Sequence, residues 1–278
     1  MPERDTAIMR GGKQALYISG ARGARSMNGE RRTHSQAAYS ASAAVYNALV
    51  GYYAFDHWRE NLERLERRYH LDTSCVVDAA CGTGLAAMYL AGRGAEVFAS
   101  DLSPHMLKEA AGACKGGRVR FQRQDMRYLY PPRRVTMLNC ATDAMNHLMR
   151  EADIRRALSS FHAALIPGGY AVFDMNTSWQ LREGGDNAPW DFQACGRRMR
   201  WLSCWDEGRG ISTLTLVFRD GRGDGEDIVE THRERAYDTG WVVEELARSG
   251  FSHTDVLDAA GLGKVSDRTR RLLFVARA

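Results

Sequence analysis

The run Val76-Val77-Asp78-Ala79-Ala80-Cys81-Gly82-Thr83-Gly84 leads from an apolar stretch into two glycines spaced two apart. Glycines there let a strand turn sharply into a helix, with no Cβ between the backbone and a ligand. Asp101 ends the next apolar stretch, 17 residues after Gly84, and a carboxylate so placed can accept from both hydroxyls of a ribose. Asp125-Met126 closes a third stretch, where a carboxylate can meet an adenine amino group. These residues suit a nucleoside cofactor. Gly82-x-Gly84-x-x-Ala87 also satisfies the loose dinucleotide pattern, which by itself leaves a nicotinamide-dependent oxidoreductase open. Three features argue against that enzyme: Asp78 four residues before Gly82, the Asp125-Met126 pair, and the turn Leu165-Ile166-Pro167-Gly168-Gly169.

A second group of residues could act on a substrate. Asn139 to His147 follows a fourth apolar stretch, and Asp143, Asn146 and His147 are candidates for orienting an acceptor or taking its proton. His147 is the one that titrates near neutral pH. The competing reading has Asn146 and His147 opening a helix and bonding only to backbone. His232, Arg233 and Arg235 share one predicted strand. Its period of two puts His232 on one side and both arginines on the other, and one of those faces is expected to line the acceptor pocket. His232 and Arg235 are the candidates from the two faces. The six cysteines, Cys75, Cys81, Cys114, Cys140, Cys195 and Cys204, form no Cys-x-x-Cys pair, and no histidine stands at zinc-site spacing. No bound metal is expected, and the thiols read as reduced, with Cys75, Cys81 and Cys140 in or beside the core.

The elements that must hold these residues alternate in type. Strands are predicted at 75–78, 96–100, 119–122, 135–140 and 170–174, and helices at 85–91, from Ser103-Pro104 to about 113, and along the face Ile154, Leu158, Phe161, Leu165. Ser103 suits an N-cap and Pro104 the first helical position. Such alternation builds a doubly wound, mostly parallel α/β sheet. Before it, residues 35–55, with Tyr39, Tyr46, Tyr52 and Tyr53, read as one or two short helices. Asp56 then reads as the N-cap of a helix to Tyr69, with Trp58, Leu62, Leu65 and Tyr69 on one face and a Glu63–Arg67 pair. After it, 198–206, 211–219 and 227–237 read as a three-stranded antiparallel insertion with turns at 207–210 and 220–225. Trp179, Trp190, Trp201 and Trp205 surround the insertion, as small-sheet core or as an aromatic pocket. A helix at 239–249 and strands near 252–258 and 271–277 complete a seven-stranded sheet.

Four motifs in order resemble the class I S-adenosylmethionine-dependent methyltransferases over roughly residues 40–277. They are the loop from Asp78 to Gly84, the run Asp101-Leu102-Ser103-Pro104-His105-Met106-Leu107, the pair Asp125-Met126, and the turn and strand from Leu165 to Phe173. Ala80 departs from the pattern, standing where the family often has glycine. The resemblance implies S-adenosylmethionine as cofactor and S-adenosylhomocysteine as product, held by the loop that includes Cys81, Gly82 and Gly84. It also implies carbonyls near Ala80 and Cys140 on the methionine amino group and Asp101 on the ribose. Leu102 and Met106 would enclose the adenine, with Asp125 and Met126 at its edge; for Leu102 and Met106 core packing is the rival reading. A Tyr-rich helical lid before the first motif and an antiparallel insertion after the fifth strand resemble glycine and sugar amine N-methyltransferases. That resemblance implies Tyr46 and Trp58 near the sulfonium and the methionine tail, and a small-molecule amine as acceptor, in a secondary-metabolite (antibiotic) setting. An O-methyltransferase with His147 or His232 as base is the alternative. A non-catalytic S-adenosylmethionine-binding protein and an NAD-dependent oxidoreductase are further ones.

Composition bounds the partners. The 278 residues carry a formal net charge of +4, and the first 34 hold seven basic and three acidic residues, which leaves the other 244 neutral overall. A nucleic-acid binder carries its positive excess on the folded domain, so no nucleic-acid partner is expected. No apolar run is long enough for a membrane span and no signal peptide is read, so the expectation is a cytoplasmic enzyme without a membrane partner. A homodimer is compatible with the sequence. The expected division is a disordered tail at 1–34, with Met27 as a candidate start, a helical lid at 35–70, a cofactor-binding core at 71–195, the insertion at 196–237 and the end of the core sheet at 238–278.

Overall fold

A computed structural model describes residues 33–183, 189–219 and 226–278. Most of the expected tail, Met27 included, and the predicted turn at 220–225 lie outside the described residues. In chain order the strands are β1 (Thr33–Gln36), β2 (Cys75–Ala79), β3 (Glu96–Asp101), β4 (Val119–Arg123), β5 (Val135–Cys140), β6 (Leu165–Asn176), β7 (Trp190–Ala194), β8 (Arg197–Asp206), β9 (Ile211–Arg219), β10 (Asp227–Arg235), β11 (His253–Asp258) and β12 (Arg271–Arg277). The helices are α1 (Tyr52–Tyr69), α2 (Leu85–Gly92), α3 (Pro104–Ala113), α4 (Glu151–Ala164), α5 (Ser178–Glu183) and α6 (Thr239–Arg248).

The main sheet has the order β11-β12-β6-β5-β2-β3-β4, parallel except where β12 meets β6 and β11. All five residues of β2 are buried, because helices cover both faces. Val77 and Ala79 pack with α4 and α6 residues such as Leu158, Phe161 and Leu246, while Val76 packs with Leu62 and Leu65 of α1 and Leu90 of α2. From β2 the chain builds outward through β3 and β4, then returns to add β5 and β6 on the other side. A crevice therefore opens at the carboxyl ends of β2 and β5. Asp78 stands in register with Asn139 at that opening. Ser103 accepts the Met106 N–H and caps α3, with Pro104 in its first turn, which fixes where the end of β3 leads.

The structure departs from the sequence reading at four places. The insertion belongs to a five-stranded sheet, β1-β10-β9-β8-β7, rather than three strands. β1, the polar run Thr-His-Ser-Gln, pairs parallel with β10 and carries ordered structure into the expected tail. Second, α1 begins at Tyr52, and a π-helical turn over Asn47–Gly51 feeds straight into it, so Asp56 lies inside the helix and caps nothing. Third, Glu63 bonds Arg59 and Tyr89 in place of Arg67. Last, the Pro167–Gly169 segment is part of β6, with a shift of register against β5. Among the described residues no helix is long and apolar enough to cross a membrane.

Candidate active site

The crevice forms a cleft of about 750 Å³. On its floor, Asp78 is fully buried: Oδ1 accepts from Asn139 Nδ2 at 2.6 Å, and Oδ2 has no protein partner. Burial pushes this carboxyl up to about 7. The following loop turns through left-handed backbone at Ala80 (φ +54°), Gly82 (+55°) and Gly84 (+80°). The two glycines serve different ends. A Cβ on Gly82 would meet no protein atom within 4 Å, so that position is a cradle facing the cleft, whereas a Cβ on Gly84 would press on Ala110 and Phe121 at 3.1–3.2 Å. Gly84 lets the loop pack on α3 and β4, and it does not line the cleft.

Asp101 accepts the backbone N–H of Gly82 at 2.9 Å and of Ser103 at 2.8 Å, one on each oxygen. These bonds fix its carboxylate on the cleft wall and leave further acceptor capacity for hydroxyls. Leu102, 57% exposed, and buried Met106 both contribute to that wall. Asp125 and Met126 also reach it, but Arg127 grips both oxygens of Asp125 and holds its carboxyl below the ordinary range. Ala80 and Cys81 complete this end. The Cys140 side chain faces the core instead, and Ala141 and Thr142 line the cleft there.

The N-terminal segment closes over this floor. The Trp58 indole N–H donates to Asn139 Oδ1 at 2.8 Å, so α1 acts on Asp78 through Asn139. Thr83 Oγ1 donates to Asn47 Oδ1 at 2.6 Å, and a Cβ on Gly51 would strike that same oxygen at 2.5 Å. Glu230 on β10 anchors the front of the lid. Its carboxylate accepts the N–H groups of Tyr39, Ser40, Ala41 and Ser42, the Ser42 hydroxyl and His232 Nε2. Burial alone would push Glu230 up, but the bonds from His232 and Ser42 outweigh it and set the carboxyl at about 2.

That anchor delivers Tyr39, a residue whose role no motif in the sequence marks. Its ring packs edge-on against His147 and His232, and its hydroxyl lies 2.7 Å from His147 Nε2. His147 Nδ1 lies 2.9 Å from the Arg233 carbonyl. His147, Tyr39 and Tyr46 all line the cleft, at what would be its acceptor end. Burial lowers the His147 pKa and raises that of Tyr46 to about 12.

Four other expected residues lie elsewhere. Asn146 is fully buried and ties Asn176 to the Arg235 carbonyl, joining β6 to β10. Arg235 donates to the Met149 carbonyl and stacks on Tyr237, away from the cleft. His232 turns inward to Glu230, so the exposed side of β10 presents Thr231 and Arg233 to the cleft. Asp143 is held by Arg271 at 2.7 Å, and its N–H donates to Asp174. None of Trp179, Trp190, Trp201 and Trp205 lines the cleft, and Trp201 packs on the small-sheet core.

The fold also brings ligating atoms of Asp143, His147 and Glu234 within 4.8 Å of one another, a grouping no sequence spacing marks. Both His147 nitrogens are engaged, Asp143 is paired with Arg271, and burial pushes Glu234 up to about 8. This donor set does not suit a divalent cation.

Comparison with known proteins agrees with this geometry. A family model described as a methyltransferase domain matches residues 76–169. The Bacillus subtilis protein YqeM, whose name assigns it provisionally to the methyltransferases, is 26% identical over 247 residues, spanning 86% of this chain and 96% of its own. The dTDP-3-amino-3,6-dideoxy-alpha-D-glucopyranose N,N-dimethyltransferase of Streptomyces fradiae is 30% identical over 142 residues, 50% of this chain and 55% of its own. A solved S-adenosylmethionine-dependent methyltransferase from Clostridium acetobutylicum shares the fold, with a TM-score of 0.73 at 23% identity over 86% of this chain and 98% of that one.

Proposed function

This chain is a class I S-adenosylmethionine-dependent methyltransferase, and we propose that it methylates an amine of a small molecule. The residues of the cleft fit the cofactor. The unpartnered, buried Asp78 Oδ2 suits the methionine ammonium, Gly82 leaves room for close approach, and Asp101 would take the ribose hydroxyls. Met106 and Leu102 would flank the adenine. When bound, S-adenosylmethionine supplies an electrophilic methyl group on a sulfonium.

One observation carries the choice of an amine: every candidate base at the acceptor end is already committed. His147 uses both nitrogens, burial pushes the Tyr39 and Tyr46 phenols well above their ordinary pKa, and Asp143, which lies off the cleft, is locked to Arg271. A hydroxyl acceptor needs strong base help, whereas a neutral amine attacks with its own lone pair. In this reading Tyr39 and His147 orient the acceptor nitrogen, the oxygen of Tyr39 accepting its N–H. Trp58 and Asn139 hold the Asp78 carboxylate in place, and the lid excludes water. The aminosugar N-methylation named for the Streptomyces fradiae relative supports an amine acceptor.

The test is release of S-adenosylhomocysteine from the purified protein with amines and their hydroxyl counterparts, an aminosugar against the parent sugar and glycine against glycolate. Turnover confined to amines is expected. Turnover of the hydroxyl members alone would overturn the reading.

A further inference from the structure

We propose that the acceptor also carries an anionic oxygen group, a carboxylate or a phosphate, and that Arg233 binds it. The inference rests on the reading of this cleft as the acceptor site of a methyltransferase. Three arginines stand on the cleft wall. Arg127 is held between Asp125 and Asp153, and Arg123 donates to the Leu102 carbonyl beside the expected adenine site. The Arg233 guanidinium makes no hydrogen bond or ion pair with any described residue, and the neighbouring Thr231 hydroxyl on the same strand face is equally free.

The charge around Arg233 sharpens this. Tyr39, Tyr46 and His147 are neutral at this end, since burial raises the two phenols and lowers the imidazole. The carboxylates on the wall lie either at the cofactor floor, as Asp78 and Asp101, or against Arg127, as Asp125 and Asp153. Arg233 is therefore an uncompensated cation facing a partly enclosed space, and a guanidinium there pairs best with a planar carboxylate or a phosphate.

The backbone sets where that anion sits relative to the reacting nitrogen. The Arg233 carbonyl accepts from His147 Nδ1, so the residue that would bind the anion also pins the ring that would orient the amine. Amine and anion would then belong to one molecule. A zwitterionic amino acid and an amine bearing a phosphate share this chemistry.

Titration calorimetry on the protein saturated with S-adenosylhomocysteine separates the two sources. One probe pair is glycine and glycinamide, and the other is 3-aminopropyl phosphate and 3-aminopropanol. The anionic member of at least one pair should bind on the order of ten- to a hundredfold more tightly, as charge-assisted bonds do. Arg233→Gln should collapse that difference, and Arg233→Lys should retain part of it, with S-adenosylhomocysteine affinity reporting an intact floor in both variants. Equal binding within each pair by the parent protein, or a preference that survives in Arg233→Gln, would overturn the assignment. Glycolate and 3-hydroxypropyl phosphate keep it distinct from the amine reading. If these are bound through Arg233 and methylated while the amines are not, the amine reading falls and the role of Arg233 stands.

Discussion

The hydroxyl of Tyr39 donates to His147 Nε2 across 2.7 Å, and this direction is dictated from the far side of the ring. His147 Nδ1 lies 2.9 Å from the Arg233 carbonyl, which can only accept, so Nδ1 carries the proton and Nε2 must accept. The histidine is thereby fixed as one neutral tautomer, and burial keeps its pKa below the ordinary value. With its proton turned toward His147, the Tyr39 oxygen offers lone pairs to the cleft.

Tyr39→Phe should therefore keep the ring packing and lose the orientation. Removing one such bond costs about 1 kcal/mol of stability, while kcat should fall by about tenfold or more because the acceptor nitrogen is no longer aimed. S-adenosylhomocysteine affinity should stay within about twofold, since the Tyr39 hydroxyl touches none of the floor and the Tyr39 carbonyl keeps its bond from Ser103 Oγ. Steady-state kinetics alongside calorimetry check this, and an unchanged kcat would remove Tyr39 from the reaction.

Asp78 predicts a pH dependence of cofactor binding. Burial is the main cause that lifts its carboxyl to about 7, with Asp101 adding to the rise and Asn139 opposing it. The ionised form is the one that accepts the cofactor ammonium, so affinity should weaken as pH falls through about 7. The cofactor-free protein should show the opposite trend. A folded value above the unfolded value of about 4 means stability is full below about pH 4 and is lost as pH rises toward 7, by about 1.4 kcal/mol per unit within that window. The rise in melting temperature caused by S-adenosylhomocysteine should thus grow with pH between about 5.5 and about 8.5, and Asp78→Asn should flatten it. A pH-independent rise in the parent protein would contradict the role.

Why some of this was legible and some was not follows from the physics of particular residues. The Asp78–Gly84 loop and the Ser103-Pro104 cap announce themselves because backbone geometry at those points admits few residue types. Strand alternation correctly separated His232 from Arg233. It could not say which face meets the cleft, because that depends on Glu230 drawing residues 39–42 over the other face, a contact across about 190 positions of sequence. β1 escaped notice since four polar residues show no alternation, and its pairing is supplied by β10. Asp56 looked like a cap only because the π-helical turn that opens α1 leaves no signature of its own.

Glu230→Gln tests the lid anchor. An amide presents one acceptor oxygen where the carboxylate presents two, so some of the four N–H groups of residues 39–42 lose their partner. The cost should be about 2–4 kcal/mol in stability, with faster hydrogen exchange concentrated at 39–46. The charge dependence has a definite sign. The folded carboxyl, near 2, lies below its unfolded value of about 4.3, so its stabilisation is present above about pH 4 and is lost as pH falls toward 2. The variant should lack that acid-side loss. Unaltered exchange at 39–46 would show that the lid is held by other contacts.

The two loop glycines should separate binding from folding. Both have positive φ, so an alanine at either position carries about 1 kcal/mol of backbone strain. Beyond that they differ. At Gly84 the new methyl meets Ala110 and Phe121 at 3.1–3.2 Å, both packed against the loop, so Gly84→Ala should lower stability by a further 1–3 kcal/mol or so. At Gly82 the methyl meets no protein atom and projects into the space the cofactor would fill. Gly82→Ala should therefore leave the melting temperature of the cofactor-free protein nearer to the parent's and weaken S-adenosylhomocysteine by roughly tenfold or more, through lost close approach. Melting curves with and without that ligand read both quantities on one sample. Equal loss of stability in the two variants, with ligand affinity intact in Gly82→Ala, would mean that Gly82 serves only the turn, and the cofactor would have to be placed against another part of the wall.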